Sequence, residues 1–108
     1  MVIMFCAFED SPLIVRLHGT GKVVTPGDDD YEALANLFPP NPGMRSVIRL
    51  TVTRIAESCG MAVPLLSYKD ERGDLDEWAE GKGPQKLTEY RQKKNAASID
   101  GLPALEST

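Results

Sequence analysis

The first charged side chain is Glu9, and everything before it, MVIMFCAF, is apolar. No other stretch limits the fold as tightly. A secretory leader needs a basic start and a small-residue cleavage site, and this run has neither. A membrane span takes about 20 apolar residues, more than the run provides. A β-strand remains. Val2, Met4, Cys6 and Phe8 would face one side, and Ile3, Phe5 and Ala7 the other. Both faces are apolar, the pattern of a strand covered on both sides. Such a strand wants a neighbour on each flank, so the sequence leads us to expect a sheet that lacks its opening strands.

The remaining elements follow from punctuation and periodicity. Glu9-Asp10-Ser11-Pro12 is a turn signal. In LIVRLHGTGKVV, Leu13, Val15, Leu17 and Val23 alternate with Arg16, His18, Thr20 and Lys22. This is a half-buried strand that forms a hairpin with the first. Gly19 and Gly21 mark a bend or a close backbone approach. Asp28 is placed to cap a helix over DDYEALANLF, with Tyr31, Leu34, Leu37 and Phe38 on its apolar stripe. Pro39 to Gly43 stops it. RSVIRLTVTRIA is a third strand, with Ile48, Leu50 and Val52 facing inward. ESCGMAVPLLSY is an apolar loop of the kind that finds a partner. Asp74 to Glu77 fits a capping box, and Gly83-Pro84 restarts a second helix with proline at its first position. The tail SIDGLPAL is apolar enough to dock.

The expected fold class is thus mainly β with helices (α+β), in one domain over 1–108. Barrel strands and a connecting helix occupy 1–68; a helical pair and the tail occupy 69–108. With 108 residues, 42% hydrophobic, the chain is large enough for a core. A net charge of −4 argues against nucleic acid as a partner, because phosphate backbones want a basic face. Cys6 and Cys59 have no CxxC spacing, and the single His18 has no ligand cluster around it. These point to reduced thiols, a cytoplasmic location, no metal and no membrane.

Three stretches, IMFCAFEDSPLIVRLHGTGKVV, RIAESCGMAVPLL and KKNAASIDGLPAL, together resemble the pyridoxamine 5′-phosphate oxidase-like family of flavin-binding split β-barrels. A microbial and fungal branch of it carries the patterns MFCAFEG-P-I-RL-G-G, SCGYGVP and KKN--SIDGLP in the same order. The resemblance covers nearly the whole chain and implies a partial FMN-binding split β-barrel, its C-terminal portion. The family's "VNVSPKG"-type segment, which helps build the flavin phosphate site, has no counterpart here. The resemblance also implies FMN as cofactor, a homodimer or higher homo-oligomer with the flavin at the subunit interface, and a small-molecule substrate. The ending is not the RLHDR-like one tied to true pyridoxal phosphate formation.

Within that resemblance the candidate cofactor-binding residues are Arg16, His18, Ser58, Cys59, Gly60 and Met61. Arg16 and His18 could meet the phosphate or ring, or simply form a solvated strand face. The branch often has an aromatic residue at His18. Ser58 could donate a hydrogen bond, and Gly60 could let backbone approach the ligand; equally, this could be a structural loop. Met61 stands where the branch has tyrosine, and Cys59 suits a small filler better than a nucleophile. Arg91, Lys93, Lys94 and Asn95 are either a phosphate-binding cluster or charges complementing a helix end. Trp78 and Tyr90 are expected as core anchors. Two functions stay open: an FMN-dependent oxidoreductase, or a non-catalytic split-barrel module that dimerises without flavin.

Overall fold

The computed structural model describes residues 1–105; positions 106–108 of the expected helical segment lie outside the described residues. Five elements follow in order: β1 (Val2–Cys6), β2 (Ile14–Val24), α1 (Tyr31–Ala35), β3 (Val47–Ser58) and α2 (Asp74–Lys94). They fall into two units. One combines Met1–Val23 with Ile48–Glu71; the other combines Val24–Val47 with the chain from Arg72 onward.

The first unit is a three-stranded sheet in the order β1-β2-β3. β1 and β2 are antiparallel, with Val2 opposite His18, Met4 opposite Arg16 and Cys6 opposite Ile14. Contacts of Arg16 with Ser58, His18 with Thr53, and Gly19 with Thr51 run down one strand and up the other, so β3 is antiparallel too. The hairpin closes where Ala7 N–H donates to the Leu13 carbonyl at 2.9 Å. Asp10 in that turn has φ 55°, a left-handed conformation that aspartate tolerates better than most residues. At Gly19 a side chain would land on the Thr51 carbonyl oxygen. The close approach read from this glycine is therefore between neighbouring strands.

Burial in the sheet differs from the sequence expectation. The strand read as covered on both faces has Val2, Met4 and Phe5 exposed at 49%, 56% and 57%. In β3, Ile48 and Val52 are also exposed, and only Leu50 of the expected inward set is half-buried. β1 is an edge strand among the described residues. The sheet thus shows apolar surface on both faces.

The second unit holds the buried hydrophobic core of the described residues: Val24, Val47, Ala79 and Leu87. α1 is shorter than its apolar stripe suggested. It ends at Ala35, and Leu37 and Phe38 close tight turns onto Leu34 and Ala35, leaving both side chains exposed. Phe38 precedes Pro39, and a residue before proline is pushed out of the helical region. Asp28 does not cap this helix. Its carboxylate accepts from Thr25 N–H at 2.7 Å and from the Thr25 hydroxyl at 3.1 Å, tying the turn instead.

α2 is two helical pieces joined at Gly83, whose φ of 72° and ψ of 167° are open to glycine and strained for other residues. Pro84 then begins the second piece, as its fixed φ and missing N–H favour. Gly73, and not Asp74, is the N-cap, so the expected capping box does not form; Asp74, Asp76 and Glu77 lie in the first turn, where the helix dipole favours acids. Trp78 and Tyr90 show that the chain reverses at Gly83. In a straight helix they would be about 18 Å apart at ~1.5 Å per residue, yet their ring centroids are 5.1 Å apart and nearly perpendicular. The helical pair expected from the sequence is therefore present. The apolar tail pairs with itself: Ala97 bridges Pro103, Ser98 N–H donates to the Leu102 carbonyl, and Ile99 is fully exposed.

Candidate functional site

Three of the predicted site residues meet through the pairing of β2 with β3. Arg16 on β2 donates from Nη1 to the Ser58 hydroxyl at the end of β3, at 2.8 Å. His18 sits two positions along on the same face, and its carbonyl accepts from the Thr53 hydroxyl at 3.4 Å. Register decides what surrounds them. Directly opposite pairs share a face, so Met4 lies beside Arg16 and Val2 beside His18. The face is thus mixed: a guanidinium, an imidazole and a hydroxyl lie against exposed apolar side chains. A purely solvated strand face would have polar residues on the neighbouring strand as well.

The loop after β3 places the other candidates. Cys59 is an exposed free thiol and Met61 is exposed as well. Gly60 is buried. A Cβ there would lie 2.7 Å from the Leu13 nitrogen and 3.2 Å from the Pro12 carbonyl carbon. The close approach Gly60 permits is to the chain's own backbone. From it the chain turns at once, Val63 N–H donating to the Gly60 carbonyl at 2.8 Å. Leu66 N–H then donates to the Phe8 carbonyl at 2.9 Å, holding the loop beside the β1–β2 turn. The structure therefore brings Arg16, His18 and Ser58 together, lets Gly60 lock the loop that follows, and leaves Cys59 and Met61 on the surface.

In the same unit, the Tyr68 hydroxyl donates to Glu71 Oε1 at 3.1 Å. Desolvation, then the hydrogen bond and charge of Glu71, raise this phenol above its ordinary value. Because the ring is well exposed, the bond to Glu71 is the cause we weight most. Among the described residues no group of three or more His, Cys, Asp or Glu is placed to hold a metal ion, and no helix is long and apolar enough to cross a membrane.

No family model and no solved structure matches the chain. One curated protein does: the pyridoxamine 5′-phosphate oxidase family protein ustO of Aspergillus flavus, 32% identical over 122 aligned positions that take in 97% of this chain. Along nearly all of its length the chain is similar to a member of the pyridoxamine 5′-phosphate oxidase family. It spans 48% of that relative's length, about half. An antiparallel sheet with accompanying helices is what part of this family's split β-barrel contains. Arg16 in RLHGTGK and Ser58 in SCGMAVP are the two residues joined across β2 and β3.

The sequence reading missed a second feature. The largest of the described cavities, about 530 Å³, lies in the other unit and is lined by Trp78, Tyr90, Arg45, Arg91 and Asn95 among others. The basic cluster near the end of α2 had been read as phosphate ligands or helix-end charge. Arg91, Lys93 and Lys94 do lie in the last turn of α2, and Arg91 also donates to the Gly43 carbonyl at 3.0 Å. Arg45 carried no sequence signal at all, since a lone arginine beyond a proline-rich loop has no periodic partner.

Proposed function

We propose that this chain contributes to an FMN-dependent oxidoreductase acting on a small molecule, with the β2–β3 face forming one wall of the flavin site. The observation that carries this reading is the Arg16–Ser58 pair set against exposed Met4 and Val2 on a single face. The donor chemistry suits the group. A flavin mononucleotide has an anionic phosphate and a polar ring edge that want N–H and O–H donors, and a flat apolar body that wants an apolar wall. Arg16 would hold an anionic or carbonyl oxygen, with Ser58 fixing the guanidinium's orientation through the 2.8 Å bond. His18 would add a donor two residues along, and Val2 and Met4 would exclude water beside them. When bound, the flavin supplies the electron transfer itself.

A second copy of the chain is the proposed cover for the exposed sheet. Val2, Met4 and Phe5 on an edge strand offer both apolar contact and unpaired backbone groups, a combination that favours pairing with another chain. The same surface supports the non-catalytic alternative, a module that dimerises without flavin.

Two measurements on the purified chain separate these readings. The visible absorption spectrum is recorded before and after adding flavin mononucleotide and desalting, for the chain and for Arg16→Ala. A retained band of altered shape that Arg16→Ala loses supports the flavin reading; no retained flavin sinks it for this chain. Sedimentation across a dilution series then reads the self-association. A dimer without retained flavin supports the alternative, and a monomer at every concentration overturns the proposed cover.

A further inference from the structure

The cavity of the second unit has the composition of a ligand site. Its volume of about 530 Å³ falls within the ~300–1,000 Å³ range of small-molecule pockets. One wall is aromatic, Trp78 meeting Tyr90 edge-to-face at 5.1 Å. Ala79 and Leu87, both buried, supply an apolar floor. The polar groups on the lining are Asn41, Asn95 and two guanidinium groups, and the lining contains no carboxylate. In a chain of net charge −4 this is a local excess of positive charge.

Neutral groups hold the two arginines. Arg91 donates to the Gly43 carbonyl at 3.0 Å. With the Asn95 amide oriented to satisfy both of its neighbours, its oxygen accepts from Arg45 Nη1 at 3.2 Å and its nitrogen donates to the Lys94 carbonyl at 3.2 Å. Both bonds fix the guanidinium planes without neutralising them. A guanidinium has more donors than one neutral partner uses, and its planar fork matches a carboxylate. Lys82 lies outside the lining, with its Nζ 4.9 Å from the Trp78 ring centroid and 5.3 Å from that of Tyr90.

We propose that this cavity binds a small organic carboxylate with an aromatic or aliphatic body. The acid group sits at Arg45 and Arg91, and the body packs on Trp78, Tyr90, Ala79 and Leu87. This site is independent of the flavin reading, since every lining residue belongs to the helical unit.

Trp78 is the chain's single tryptophan, so its fluorescence reports this cavity directly. Hydrocinnamate and its neutral isostere hydrocinnamide are titrated into the wild-type chain. The acid should give a saturable change and the amide should bind at least about tenfold more weakly, because hydrogen bonds to a charged partner are the stronger kind. Arg45→Gln should erase most of that difference, while Lys93→Gln, on the exposed helix end, should keep it. No saturable change with the acid, or equal binding of acid and amide, overturns the proposal. The acid–amide comparison requires no variant, so it stands even if Arg45→Gln fails to fold.

Discussion

The sheet unit and the helical unit divide apolar sequence and apolar burial in opposite ways. The sheet unit has the longest hydrophobic run, MVIMFCAF, yet leaves Met4, Phe5, Ile48, Val52 and Ile55 exposed. The helical unit is broken by prolines and glycines and strongly charged, yet Ala79 and Leu87 are almost wholly buried there. The difference lies in what each unit can do alone. Two helical pieces folded on each other bury a seam between them. A three-stranded sheet has two faces and cannot cover either with its own strands. Its apolar residues are surface in search of a second layer, and the same residues that make it a poor core make it a good interface.

Mutations can break or sharpen that contrast. The largest effect is expected in the helical unit, where Leu87→Ala should cost about 2–5 kcal/mol in urea unfolding followed by Trp78 fluorescence. The paired change Ile55→Thr on the exposed sheet should stay within about 0.5 kcal/mol in dilute protein. Equal costs would show that the sheet is covered in solution. Next comes a tight fit between neighbouring strands of the sheet. Gly19→Ala would put a methyl group onto the Thr51 carbonyl, with Leu50 Cδ1 3.1 Å away, and should destabilise by about 1–3 kcal/mol in the same assay. Ser58→Ala removes the exposed bond from Arg16 and should cost less than about 1 kcal/mol, while lowering flavin retention if the proposed site is correct.

The smallest effect concerns Tyr68. A phenol raised in the folded state holds its proton more tightly there than in the unfolded chain. Its stabilising contribution is complete below the ordinary value of about 10 and is lost as pH rises through the raised one. An ultraviolet titration should show the phenol wave move back down in Glu71→Gln, and the shifted wave should vanish in Tyr68→Phe. An unchanged wave in Glu71→Gln would leave desolvation as the whole cause.

Element order was legible in the sequence because alternation and punctuation agree along most of the chain. The β-branched runs gave strands, Gly83-Pro84 gave the break in α2, and Glu9 to Pro12 gave the hairpin turn. Burial was less legible. Periodicity reports which residues share a face, but not whether another layer covers that face, and so Ile48 and Val52 were expected inside. Caps misled for a related reason. Asp28 and Asp74 have the right side chains, but Thr25 captures the first and Gly73 takes the capping position ahead of the second. At the candidate site, Arg16, His18 and Ser58 could be named from the family pattern, whereas their apolar neighbours depend on strand register. The cavity at Trp78 was invisible for a simpler reason: its two arginines are far apart in sequence and share a lining only in the folded chain.

The reversal at Gly83 also bears on how the helices exchange their amide hydrogens. Each piece of α2 is shorter than the ~12–15 residues an isolated helix needs to persist in water, and Pro84 has no N–H with which to continue the hydrogen-bond ladder across the joint. By their ladders the pieces should fray separately. The contact of Trp78 with Tyr90 and the burial of Ala79 and Leu87 tie them together instead. Protected amides on both sides of Gly83 should therefore open with a single free energy, one cooperative unit held by side chains across a gap in its backbone bonding.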